Sequence, residues 1–362
     1  QVVFAAGALR GETVEAQLLK VNKKAAWARV VRVIAPSPAR VAPDCPYYPK
    51  CGGCRLRHMD YEEELAFKKE KVEAALRRLG GVEQPLAGIL GAEDILRYRN
   101  KAQFPVSAGK DGVHIGFYRA RSHDVIDVES CLLQKEEADA ARRAVKEWMV
   151  RWQVTPYHEA DCTGLVRHVY ARTNTRGQSL LCVLANGTSL PHEDDLVESL
   201  RRACPGAAGI LLGINTSGSN VILGERYRLL WGQDCLYDTL CGLRFKLSVP
   251  SFYQVNRAQT QRLYAKAAEL AALTGGETVV DLYCGAGTIT LLLAASAGKA
   301  IGVEIVPEAI ADAKENARRN GVSNVEFLCA DAGQAASELA RRGLKPDVIC
   351  VDPPRKGLSQ DC

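Results

Sequence analysis

The strongest constraint on this chain is an alternation that begins near residue 256. NRAQTQRLYAKAAELAAL reads as a helix, ETVVDLYCG as a strand ending in a tight turn, and GAGTITLLLAASAG as a turn and helix. KAIGVEI is then a strand, and PEAIADAKENARRNG a helix with Pro307 at its start and Gly321 at its end, the positions those residues favour. NVEFLCAD, ASELARRG and PDVICVDPP follow as strand, helix and fourth strand. Short apolar strands that alternate with helices predict a doubly wound parallel sheet with both faces covered. Residues 246–362 are therefore expected to form a Rossmann-like α/β domain, incomplete after its fourth strand.

A ligand of such a sheet sits at the carboxyl ends of its strands. Tyr283, Glu304, Asp331 and Asp352 stand at those four ends, and Asp281 lies two residues before Tyr283. Gly285 and Gly287 let the backbone pass close to a ligand. Glu304 suits a ribose diol, and Asp331 is placed to meet an adenine edge. The turn reads G-A-G-T rather than G-x-G-x-x-G, so a pyrophosphate cradle is poorly supported. The combination favours S-adenosylmethionine over a dinucleotide.

Upstream, the charge is uneven. Residues 1–57 carry ten Lys and Arg against three Asp and Glu, a net +7, while the remainder carries 37 against 39, a net −2. A basic module ahead of a near-neutral body suggests contact with a polyanion such as a nucleic acid, with a solvated basic face as the alternative. VEAQLLKV and AAWARVVRVI alternate polar and apolar residues, with Asn22-Lys23-Lys24 as the turn between them. Residues 1–40 are expected to be part of a small antiparallel β-barrel, OB-like, with further strands upstream of Gln1.

Of thirteen cysteines, most sit in apolar runs and read as small buried hydrophobes in a reducing compartment. Cys45, Cys51 and Cys54 differ, because Pro, Gly and Lys around them make a poor core. With the distant Cys131 they could supply four thiolates to a metal centre. Three-plus-one spacing leans towards a 4Fe–4S cluster, with structural zinc as the alternative.

Residues 41–245 are expected to hold this metal segment, a helix from Tyr61 to Leu79, and an α+β central domain. Hairpins are predicted at Lys110-Asp111-Gly112 and at Asn174–Gly177, and helices near 134–150 and 191–203. Arg97, Arg99, Asn100 and Lys101 form a basic cluster that either contacts RNA or protects a strand edge. No HExxH, G-x-S-x-G or nucleophile–His pairing is present. No apolar run approaches the roughly 18 residues of a membrane helix, and Gln1 to Glu12 lack a signal-peptide pattern. No membrane association and a cytoplasmic location are expected, with a monomer favoured.

Asp352-Pro353-Pro354-Arg355-Lys356-Gly357 completes a set that, with SFYQVN at Ser251–Asn256, DLYCGAGT and the cysteine spacing, resembles the RNA (uracil-5-)-methyltransferases. The resemblance is to their iron–sulfur, 23S ribosomal RNA branch and runs along nearly the whole chain. It implies that the N-terminal barrel is a TRAM domain and that Cys45, Cys51, Cys54 and Cys131 bind the 4Fe–4S cluster. Gln254, Tyr283, Thr288, Glu304, Asp331 and Asp352 would line the methyl-donor site, and Asp352 would also face a flipped uracil. The transfer RNA branch from enteric bacteria lacks the barrel and the cysteines, which favours ribosomal RNA.

The family's nucleophile is a Cys before Asn-Pro at the end of a fifth strand, and its base is a Glu further on. Neither motif is in this chain, and Cys284, Cys329, Cys350 and Cys362 do not occupy that position. The nucleophile and base are expected beyond Cys362, which makes residues 1–362 inactive alone. The expected reaction is methyl transfer to carbon 5 of a uridine after thiolate addition at carbon 6, because that addition turns the ring into an enolate. The competing readings are transfer RNA uracil methylation, an amino-group nucleic-acid methyltransferase, and a non-catalytic RNA-binding protein with a structural metal.

Overall fold

A computed structural model describes residues 2–355 and 357–358. The chain divides into two compact units, Gln1–Glu93 with Phe117–Val128, and Asp94–Gly116 with Glu129–Cys362.

In the first unit, Thr13–Val21 and Ala25–Ala35 form the antiparallel pair expected from their alternation. The Asn22 N–H closes the turn on the Ala25 carbonyl at 2.8 Å. The partial barrel expected of residues 1–40 is, among the described residues, an open sheet. Val2–Ala6 adds a third strand, and it pairs in parallel with Ala25–Ala35. Three strands are too few to close on themselves, so the sheet stays open and leaves Phe4, Leu19, Val31 and Ile34 exposed. The helix Tyr61–Gly80 matches its predicted span. Asp60 caps it by accepting the Glu63 N–H at 2.8 Å, and Gly81 ends it in the left-handed conformation.

In the second unit, a central sheet runs in the order Arg226–Gly232, Ala207–Ile214, Ser179–Ala185, Val166–Thr173, Lys101–Gly109, Gly112–Tyr118. Both predicted hairpins form, at Lys110-Asp111 and at Asn174–Gly177. The one parallel pair, Ser179–Ala185 with Ala207–Ile214, is bridged by the helix Glu193–Ala203. That helix packs against Glu136–Arg151 over a fully buried Trp148. A further hairpin, Cys235–Leu240 with Leu243–Ser248, turns through Cys241 and Gly242 at φ +50° and +79°. Two consecutive positive φ values are what a two-residue hairpin turn requires.

The same unit carries the predicted parallel sheet. Its order is Val325–Cys329, Lys299–Glu304, Thr278–Leu282, Val348–Val351, and all three pairings are parallel. The helices Thr288–Ala294, Pro307–Arg319 and Ala332–Arg341 make the crossovers. Pro307 opens the second at its first turn, as expected. Arg257–Ala271 precedes the sheet, capped by Asn256, whose side chain accepts the Gln259 N–H at 3.1 Å. One apolar cluster, including Tyr170, Leu180, Leu236, Phe245, Tyr253, Tyr264 and Leu291, joins the central sheet to the parallel sheet. Among the described residues no helix is long and apolar enough to cross a membrane.

Candidate active site

The chain leaves Thr278–Leu282, builds outwards through two strands, and returns to place Val348–Val351 on its other side. That reversal is a topological switch point, and it opens a crevice at the carboxyl ends of the two central strands. Tyr283 follows the first strand at φ +68°, and Gly285 and Gly287 continue the turn at φ +54° and +79°. A Cβ on Gly287 would lie 3.1 Å from the Ala313 Cβ and 3.2 Å from the Phe327 ring, so glycine serves both the φ and the close packing. Thr288 opens the next helix, and its hydroxyl lies 3.0 Å from the Tyr264 hydroxyl.

Glu304 ends the neighbouring strand. One of its oxygens accepts the Gly285 N–H at 3.1 Å and the other accepts the Val306 N–H at 3.0 Å. Each oxygen thus keeps acceptor capacity while the carboxylate is held against the glycine turn. Asp331 is exposed and caps the helix Ala332–Arg341 through a 3.0 Å contact from the Gly333 N–H. Asp352 is exposed at the end of the fourth strand, and its charge reaches both Asp281 and Tyr264.

Asp281 lies beneath this rim, 1% exposed. Burial pushes its carboxyl up to about 7, opposed by the Thr290 hydroxyl and assisted by the charges of Asp352 and Glu304. Two carboxylates that the sequence placed at strand ends, Asp352 and Glu304, therefore act on Asp281. Gln254 sits in the loop Ser251–Asn256, where its carbonyl accepts from the Asn100 side chain at 3.0 Å. The thiols nearby are poor nucleophile candidates. Burial pushes Cys284 well above its ordinary value and Cys350 up to about 11. Cys362 and Lys356 lie outside the described residues.

Sequence reading missed what holds the Gln254 loop. Asn100, on the central domain, donates from its backbone to the Val255 carbonyl at 2.9 Å as well as from its side chain to Gln254. The buried Arg172 donates to the Ser251 carbonyl at 2.5 Å. The available signal was a charged residue inside the apolar strand RHVYART. The basic cluster also resolves into separate jobs. Arg97 donates to the Cys131 carbonyl at 2.8 Å and to Asp139 at 2.7 Å, while Asp139 accepts the Cys131 N–H at 3.2 Å. At Lys101 the strand pairs with Arg172 on one side, whereas its pairing with Gly112–Tyr118 on the other side covers only Val106–Gly109.

Cys45, Cys51 and Cys54 are partly exposed, in no disulfide, and belong to the first unit. Cys45 and Cys54 both act electrostatically on Arg57, and the Gly53 N–H points at the Cys51 sulfur at 3.4 Å. A Cβ on Gly52 would come within 3.0 Å of the Tyr118 carbonyl, which explains that glycine. Cys131 is also partly exposed and in no disulfide, and belongs to the second unit. The donor set is chemically suited to a soft metal. Among the described residues, however, no three His, Cys, Asp or Glu side chains are disposed around one ion.

Residues 273–353 match a family model described as a methyltransferase domain. An uncharacterized RNA methyltransferase of Clostridium tetani is 45% identical over 359 residues, covering 99% of this chain and 78% of that protein. One from Halalkalibacterium halodurans is 43% identical over 361 residues, covering 99% and 79%. The crystal structure of the Pyrococcus abyssi tRNA (uracil-54, C5)-methyltransferase in complex with S-adenosyl-L-homocysteine superposes with a TM-score of 0.73, covering 97% of this chain and 78% of that one. At 24% identity that likeness speaks for a shared fold. The crevice at the switch point, the family model across it and the full-length relatives agree, and the chain belongs to the RNA methyltransferases.

Proposed function

We propose that the protein transfers a methyl group from S-adenosylmethionine to carbon 5 of a uridine in RNA. The observation that carries this reading is the carboxylate of Glu304 held on the Gly285 N–H above the buried Asp281, at the carboxyl edge of the sheet. Glu304 keeps acceptor capacity for a ribose diol. Asp281 has one buried oxygen with no partner among the described residues, so the donor set fits a hydroxyl- and ammonium-bearing ligand. Gln254, Tyr283, Thr288, Asp331 and Asp352 complete the donor site in this reading, and Asp352 also faces the flipped base. S-adenosylmethionine supplies an electrophilic methyl group. The chain's own residues bind and orient it.

The nucleophilic thiol and the base lie outside residues 1–362 in this proposal. RNA as substrate is supported by the net +7 of residues 1–57, and ribosomal RNA is proposed because the cysteine spacing resembles that of the ribosomal RNA branch. Transfer RNA is the second reading, since this fold is shared with a tRNA (uracil-54, C5)-methyltransferase. Cys45, Cys51, Cys54 and Cys131 are proposed to hold a 4Fe–4S cluster, on the strength of their three-plus-one spacing, their partial exposure and the Arg97–Asp139 clamp on Cys131. The N-terminal sheet is proposed to be the TRAM-like RNA module.

The test is tritiated methyl incorporation into unmodified ribosomal and transfer RNA, followed by nucleoside analysis. Residues 1–362 bind donor and leave both RNAs unmethylated. A longer chain carrying the downstream Cys yields 5-methyluridine in ribosomal RNA. Label on an exocyclic amino group, or methylation by residues 1–362 alone, overturns the mechanism.

A further inference from the structure

The central sheet presents a cationic group that the donor site does not use. Lys101 and Arg172 are directly opposite one another on adjacent antiparallel strands, so their side chains share a face. Arg172 is 1% exposed. Its guanidinium donates to the Tyr170 hydroxyl at 2.6 Å and to the Ser251 carbonyl at 2.5 Å, and its third nitrogen, Nη1, is buried with no partner. Arg99 precedes them and bridges to Asn256, at the far end of the same loop. No Asp or Glu pairs with Lys101, Arg99 or Arg172 among the described residues. Burial, with the charges of Arg172 and Arg99, brings the Lys101 ammonium down to about 8.

Like charges gathered in a partly desolvated place are unfavourable for folding unless an anion joins them. The group lies where Arg172 grips Ser251 and Asn100 grips Gln254, beside the loop that the donor site needs. We propose that Lys101, supported by Arg99 and Arg172, binds a phosphodiester of the RNA strand next to the Ser251–Asn256 loop. A phosphodiester stays singly charged across the working pH range and needs a cation rather than a proton donor. Arg172 acts from behind Lys101, as a fixed charge and as the anchor of the loop. The inference rests on RNA being the substrate and names where its backbone is held.

The test measures binding of a uridine-containing single-stranded RNA across a salt series, alongside calorimetry with S-adenosylmethionine. Lys101→Gln weakens RNA binding about 3–10-fold at low salt and lowers the slope of log K against log salt by about 0.7, the value for one phosphate contact. Lys101→Arg retains affinity and slope, which separates charge from folding, and donor binding is unchanged in both variants. RNA affinity and slope in Lys101→Gln equal to those of the unsubstituted protein overturn the phosphate site alone. Loss of donor affinity with RNA affinity intact assigns the cations to the donor's carboxylate and also overturns it. A protein that binds donor but no RNA overturns the functional reading itself.

Discussion

The Thr290 hydroxyl donates to one oxygen of the Asp281 carboxyl at 2.6 Å, and the other oxygen of that carboxyl is buried without a partner. One hydrogen bond does not offset the burial, so the folded-state value rises from 3.8 to about 7. The folded protein therefore binds more protons than the unfolded chain between these values. This group's contribution to stability is full below about pH 4 and is lost as pH rises towards about 7. Asp281→Asn is expected to remove that slope. Urea denaturation of both proteins at about pH 5 and about pH 8 measures it, and parallel pH profiles would refute it.

Glu304→Ala is expected to weaken S-adenosylmethionine binding by about 1–3 kcal/mol, the cost of leaving hydrogen-bonding partners unmatched. The substitution also frees the Gly285 and Val306 N–H groups that the carboxylate holds. Calorimetry reads the change. Binding of a nicotinamide dinucleotide in preference to S-adenosylmethionine would contradict the role given to Glu304.

Gly302→Ala is expected to destabilise the protein by about 1–3 kcal/mol through overpacking. The added Cβ would lie 2.7 Å from the Phe327 ring and 2.9 Å from the Cys284 sulfur. Thermal unfolding measures the loss, and a Phe327→Leu background should reduce it. An equal loss in both backgrounds would show that the ring is not the obstacle.

Anaerobically purified protein is expected to be brown and to carry about four irons and four sulfides per chain. Cys51→Ser should bleach it and Arg97→Ala should change its absorption spectrum, because Arg97 fixes the Cys131 backbone. A colourless anaerobic preparation with a single zinc would replace the cluster by a structural ion.

Much of the donor site was legible in the linear chain, because a parallel sheet puts all its strand ends on one edge. Once Tyr283, Glu304, Asp331 and Asp352 fall at the ends of predicted parallel strands, they must lie along one rim. Local signals were equally readable, since Pro307 and Gly321 at the helix Pro307–Arg319 act through their own backbone angles. The strand Val2–Ala6 was not foreseen, because its existence depends on a partner more than twenty residues along the chain.

The sequence by itself determined the alternation of elements, the residues at each strand end and the clustering of the cysteines. All of these follow from hydrophobic period and turn chemistry over a few neighbouring residues. Only the tertiary structure decided that Val348–Val351 returns beside Thr278–Leu282, which brings Asp352's charge to bear on Asp281. It also decided that Asn100 and Arg172 hold the loop of Gln254 across 154 and 79 residues of chain. Such contacts form when distant surfaces bury their apolar faces together, and the polar groups trapped between those surfaces must then find partners there. Their identity depends on the packing of whole sheets, which no local pattern encodes.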